Sequence, residues 1–186
     1  FRSPQLRTFA AAGWLPLLDP ASPAPIIRER KHDQIEGRHK VFFKDGDSLG
    51  YETVDAEVAE VAEHHISSEG PDLSFVYFSQ VDECGHKYGT LRDPYFEALG
   101  RVDQLVEKLH NVVDARAKKF DEEWLVVITT DHGHLDEGGH GGESDQERSS
   151  FLIAYGVGRK NPQWKIPIAQ HHISHYILDS VSTLPS

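Results

Sequence analysis

Apolar positions along the middle of the chain recur in two different rhythms. Val54, Val58, Val61 and His65 follow at spacings of four, three and four, which predicts one face of an amphipathic helix ending before Gly70-Pro71. Leu73 to Phe78 is instead a short continuous apolar run, which predicts a strand buried on both faces. Asp93-Pro94 then pairs an N-cap with a first-turn proline, and Phe96, Leu99, Val102, Val106, Leu109 and Val113 keep helical spacing to about Ala117. Two more strands are expected at Trp124 to Thr130 and Ser150 to Tyr155, and a last helix at roughly His171 to Ser182. The first fifty residues are less regular. Pro4 to Ala12 suits a short helix, Ile26-Ile27 and Val41-Phe42-Phe43 suit short strands, and Pro16, Pro20, Pro23 and Pro25 break up the segment between.

Strands that alternate with helices pair in parallel through right-handed crossovers. The expected class is therefore α/β, a three-layer sandwich with a mostly parallel sheet and helices on both faces. A single domain is expected over residues 1–186, with its most regular part at about 50–182. Ligands of such sheets bind outside the carboxyl ends of the strands.

Two groups of metal-competent residues stand at such ends. Asp82-Glu83-Cys84-Gly85-His86 follows the first strong strand, and one helical turn there brings Asp82 and His86 to the same side. A turn with Asp82 capping backbone amides and His86 in solvent fits that spacing equally well. Asp131-His132-Gly133-His134 follows the second strand, with Gly138-Gly139-His140-Gly141-Gly142 behind it. The glycines allow His140 to fold back toward either group. Aspartate and histidine are the oxygen and nitrogen donors a borderline divalent cation prefers. Two acids and three histidines suffice for one ion with three protein ligands and half the shell of a second, which is the open coordination of catalytic sites.

Bulk properties narrow the partners. Thirty acidic against nineteen basic residues leave a net charge of −11, which argues against a nucleic-acid polymer, and bound cations would offset part of it. No apolar run approaches the ~20 residues of a membrane span. One cysteine, Cys84, excludes an intrachain disulfide and leaves the compartment open. The chain has no methionine and starts at Phe1, so a processed, truncated or partial polypeptide is expected.

Val81 to Gly89, together with Thr130-Asp131-His132-Gly133-His134 and Gly139-His140-Gly141-Gly142, resembles the metal motifs of the alkaline phosphatase superfamily. The nearest branch is the type I phosphodiesterase and nucleotide pyrophosphatase group, and the resemblance covers roughly residues 50–182. It implies two divalent ions, zinc or alternatively manganese, flanking the phosphoryl group of a small-molecule phosphate ester. Asp82, His86 and His140 take the place of the ligands of one ion, and Asp131 with His132 of half the shell of the other. It also implies an exported or extracytoplasmic location, and a two-step reaction through a covalent intermediate on Thr or Ser.

The chain departs from that pattern in two places. Ser3 and Thr8 are the early hydroxyls, no strand ending in Asp precedes them, and both are read as ordinary residues; the nucleophile is expected upstream of Phe1. His134 replaces the methionine common at that place and is read as solvent-exposed rather than as support for a ligand. His64-His65 are read as packing residues, His171, His172 and His175 as a solvated helix face, and Cys84 as without function. Three readings follow: a phosphodiesterase or pyrophosphatase; a phosphoglycerate mutase-like or phosphoethanolamine transferase-like enzyme; and a non-catalytic metal-binding remnant of the fold.

Overall fold

The computed structural model describes residues 6–18, 27, 30–165 and 167–182. Strand β1 (Thr8–Ala12) lies at the centre of a three-stranded parallel sheet, between β2 (His39–Phe43) and β3 (Leu73–Tyr77). Ala10 faces Val41 on one side and Phe75 on the other, which fixes the register. The helix expected over Pro4 to Ala12 is therefore a strand over its described part, Thr8 to Ala12. Alanine favours helices when nothing else decides. Here its small side chain lets helices pack close on both faces of the central strand, and that burial outweighs the local preference. Phe9 and Ala11 pack against Val54, Val58 and Ala62, while Ala10 and Ala12 pack against Leu17 and Leu18. Of the expected strand at Ile26-Ile27, Ile26 lies outside the described residues and Ile27 packs on the second cluster without joining the sheet.

Both expected core helices form. Helix α1 (Leu15–Leu18) and α2 (Lys31–Ile35) link β1 to β2, and α3 (Gly46–Leu49) leads into α4 (Tyr51–Ser68). The buried stripe of α4 is Val54, Val58, Ala62 and Ile66. Helix α5 (Gln80–Tyr88) leaves the end of β3, and the long α6 (Asp93–Phe120) packs against both α4 and α5. The face α6 buries differs from the expected one. Ala98, Leu105, Val113 and Ala117 are inside, whereas Phe96 and Leu99 are exposed. The helix includes Asp93, so its cap is the backbone of Arg92 rather than the Asp93 side chain. Strand β3 is covered by α4 on one face only, leaving Leu73 and Phe75 exposed on the other.

Strands β4 (Trp124–Thr129) and β5 (Leu152–Val157) pair with each other, and they do so antiparallel. The expected parallel pairing fails for this pair. The connection between them holds one four-residue helix, α7 (Asp145–Arg148), and no long helix to serve as a crossover that returns β5 in the same direction. A 3-10 turn (Gln170–His172) and α8 (Ile173–Ser182) follow. None of the described helices is long and apolar enough to cross a membrane.

Glycine at the carboxyl end of β1 shows how tightly this region is packed. A Cβ on Gly13 would lie 2.7 Å from Cγ1 of the fully buried Val54. Gly13→Ala is expected to destabilise the chain by about 1–3 kcal/mol, read as a lower urea midpoint at constant slope.

Candidate metal centre

The site starts from a buried carboxylate. Asp55, on α4 and fully buried, accepts the backbone N–H of Ser79 at 3.0 and 3.1 Å and that of Gln80 at 2.9 Å. It thereby caps the first turn of α5 from a neighbouring helix, satisfying donors that the helix itself leaves free. Burial pushes the Asp55 carboxyl up to about 6, with the Gln80 and Ser79 amides pulling the other way. Arg101 on α6 ties the same turn by donating to the Gln80 side chain at 2.9 Å.

Helix α5 so anchored presents Asp82 and His86 one turn apart, with Nε2 of His86 3.6 Å from Oδ2 of Asp82. The glycine loop arrives from the other side. Gly138, Gly139 and Gly141 have φ of 100°, 82° and 113°, values that favour glycine. The loop is pinned at Thr90 N–H to Asp136 O, 3.0 Å, and at Gly142 N–H to the Glu147 carboxylate, 2.7 Å. Hydrogen bonds from the Ser144 hydroxyl and the Gly142 amide hold Glu147 below the usual carboxylate range. His140 then reaches the cluster, its Nε2 3.5 Å from Oδ1 of Asp82 and 3.0 Å from Nε2 of His86. Desolvation, then the neighbouring His132, lower the pKa of His140 and favour the neutral imidazole that a metal needs.

Donors bound to one ion at ~2.0–2.1 Å in a tetrahedron stand about 3.3 Å from each other. The observed separations bracket that value: 3.0 Å between His86 and His140, 3.5 Å from His140 to Oδ1 of Asp82 and 3.6 Å from His86 to its Oδ2. Asp82, His86 and His140 thus converge with a spacing suited to a single divalent ion. The residue chemistry fits as well, with one carboxylate and two imidazoles whose donor atoms lie within 4.8 Å of one another.

Asp131 and His132 follow β4 of the separate two-stranded sheet and lie beside this group near the end of β3. Nε2 of His132 is 3.7 Å from Oδ1 of Asp131 and 3.9 Å from Oδ1 of Asp82, and its ring stacks on His140 at 3.6 Å. Nδ1 of His132 donates to Gly133 O at 3.1 Å, which leaves Nε2 as the lone-pair nitrogen. Asp131 is held by the Tyr77 hydroxyl at 3.4 Å, and the Gln170 amide donates to the carbonyls of Thr130 and Asp131 at 3.0 and 2.7 Å. Burial raises the Tyr77 hydroxyl above its ordinary value, so Tyr77 is a donor toward Asp131.

His134 corrects the expectation of a solvent-exposed residue. Its side chain is only 6% exposed, Nε2 lies 2.7 Å from Oδ1 of Asp82, and it joins Asp82, His86 and His140 in one group whose donor atoms all lie within 4.8 Å of one another. The signal was present in the spacing of two from His132, since alternate residues of a non-helical segment can point the same way. Tyr77, Gln170 and Asp55 carried no such signal; they are brought in by tertiary contacts alone.

The remaining readings resolve simply. Thr8 bonds His39 Nδ1 at 2.6 Å at the amino end of β1, about 13 Å from the strand's carboxyl end, and Ser3 lies outside the described residues. Cys84 stays outside the cluster, and burial pushes its thiol up. His65 packs on Phe9 while His64 is exposed. His171, His172 and His175 are exposed. A second group on α2, His32, Asp33 and Glu36, has its carboxylates engaged by Arg30 and Arg38.

The α/β fold, with an Asp/His group that could hold a metal ion beyond the carboxyl end of β3, is consistent with the alkaline phosphatase superfamily. Within it the chain belongs to the type I phosphodiesterase / nucleotide pyrophosphatase family, which it matches over residues 5–143. It is 30% identical over 114 residues to the human GPI ethanolamine phosphate transferase 3, catalytic subunit, covering 61% of this chain and 10% of that protein. The GPI ethanolamine phosphate transferase 3 of Saccharomyces cerevisiae is 29% identical over 131 residues, 70% of this chain and 12% of that protein. The GPI ethanolamine phosphate transferase 1 of Yarrowia lipolytica is 33% identical over 112 residues, 60% and 12% respectively. The chain thus spans about a tenth of the length of these relatives. No solved structure matches significantly.

Proposed function

We propose that this chain carries the metal-binding part of an enzyme that transfers an ethanolamine-phosphate-type group from a phosphodiester donor to a hydroxyl acceptor. The observation that carries this reading is the convergence of Asp82, His86 and His140, with Asp131 and His132 beside them, at the sheet end. The names of the relatives supply the group transferred, and favour transfer over the hydrolysis first suggested by the sequence. Asp82, His86 and His140 would hold one zinc ion, and Asp131 and His132 would contribute to a second. Two such cations offset the negative charge that builds on the phosphoryl oxygens and lower the pKa of an attacking or leaving hydroxyl. Around them the chain's own residues set geometry: Asp55 fixes the start of α5, Tyr77 holds Asp131, and Gln170 fixes the backbone at Asp131. The nucleophile belongs to none of these residues, and its place upstream of Phe1 is part of the proposal.

Hydrolysis is retained as a second reading because the family description itself names phosphodiesterases. Transfer and hydrolysis differ in whether an alcohol or water takes the group. The full-length gene product, supplied with zinc or manganese, is to be given a labelled ethanolamine-phosphate diester with and without a GPI acceptor. Label on the acceptor, lost in His86→Ala, is the expected result. Acceptor-independent release of ethanolamine phosphate, with hydrolysis of a nitrophenyl phosphodiester, would favour the hydrolase. Inactivity on both with metal present would favour the non-catalytic remnant.

A further inference from the structure

His134 is buried in the cluster for a reason the ligand set does not supply. Its Nε2 faces Oδ1 of Asp82 at 2.7 Å, a hydrogen-bond distance, whereas Oδ2 of the same carboxylate faces His86. Its Nδ1 is buried and has no hydrogen-bond partner. That asymmetry fixes the tautomer. A proton on Nδ1 would be a buried donor with no acceptor, while a proton on Nε2 is bonded to Asp82 and leaves on Nδ1 only an unshared lone pair. A ring protonated at Nε2 donates to the carboxylate and has no lone pair to give an ion from that side.

Helix α5 is built to receive this ring. A Cβ on Gly85 would lie 2.9 Å from Cε1 and 3.0 Å from Nε2 of His134, so only glycine at this position lets the imidazole lie against the helix between Asp82 and His86. Glycine inside a helix is unfavourable without such a reason. The rings of His86 and His140 close the other sides edge-on, each at 5.1 Å. His134 is therefore held rigidly by shape as well as by its hydrogen bond.

We infer that His134 is a positioning residue for the metal centre: its Nε2–H binds Oδ1 of Asp82, holds the carboxylate in place for the ion shared with His86 and His140, and so sets the metal affinity without being a ligand. The inference rests on the metal reading above. Partners of this kind typically govern affinity by 10–100-fold. Glutamine places an amide donor where Nε2–H stands and so can replace it, although it cannot replace an imidazole ligand.

The test uses the full chain, zinc titration against a competing chelator, and the visible absorption of bound cobalt(II), with circular dichroism to confirm that each variant is folded. His134→Ala is expected to weaken zinc about 10–100-fold, and His134→Gln to stay within about threefold of the parent. Both should show the parent's cobalt spectrum at saturation, whereas His86→Ala should change it. A cobalt spectrum altered in His134→Gln, with affinity as poor as in His134→Ala, would make His134 a direct ligand and overturn the inference. Unchanged affinity in folded His134→Ala would reduce it to packing. A parent chain that binds neither metal would overturn the metal reading itself, a result distinct from either of these.

Discussion

Asp82→Ala is expected to lower the zinc affinity of the chain by more than about a hundredfold, beyond what loss of an outer-shell partner costs. Asp82 is the shared element of the whole centre. One carboxylate oxygen lies within 3.9 Å of nitrogens on His132, His134 and His140, and the other is the one nearest His86. Without it, the ion held by Asp82, His86 and His140 would keep only the two imidazole ligands, and His134 would lose its acceptor. In the full-length protein the same change should abolish metal-dependent transfer, because metal, ligands and nucleophile act as a unit whose removal is not additive. Isothermal titration of zinc into parent and variant reads the affinity directly. Near-parental binding by Asp82→Ala would mean that the ion sits elsewhere.

The second large effect is expected at Asp55, which caps the first turn of α5 ahead of Asp82. Asp55→Ala leaves the N–H groups of Ser79 and Gln80 buried without their acceptor, at a cost of about 3 kcal/mol at pH 5. The loss depends on pH in a definite direction. Burial moves the carboxyl from 3.8 in the unfolded chain to about 6 in the folded one, so the native state binds more protons than the unfolded state between those values. The extra stability of the protonated form is complete below about pH 4 and is lost as the pH rises through 6. The deficit of Asp55→Ala should therefore shrink by about 1.4 kcal/mol between pH 5 and pH 8, and Asp55→Asn should show the same flattening with a smaller loss. Urea unfolding at both pH values measures this. A deficit equal at pH 5 and pH 8 would show that the native carboxyl titrates normally.

Similarity to a family over residues 5–143 extends the chain's membership further toward its start than the motifs alone, which begin to be recognisable at about residue 50. The reason lies in what motifs record. Ligands demand particular residue types at particular spacings, whereas the strand at Thr8–Ala12 demands only small apolar side chains, which many segments possess.

The helices α4 and α6 were legible in the residues because each carries a helical period, and the strands β3, β4 and β5 because each is a short apolar run. For Asp82 and His86 the spacing left one helical turn and a capping turn equally open, and the structure has the helix α5. What only the tertiary structure decided depends on contacts between segments far apart in the chain. Alanines Ala10 to Ala12 became a central strand because α1 and α4 close over them. Strand β5 ran antiparallel to β4 because the intervening chain is a loop rather than a crossover. Phe96 and Leu99 stayed exposed while Ala98 between them was fully buried. Asp55 capped a helix twenty-five residues away, and His134 left solvent because Gly85 opened a slot for its ring and Asp82 offered an acceptor. No local rhythm encodes such meetings, since their free energy comes from burial and hydrogen bonds that exist only once both partners are in place.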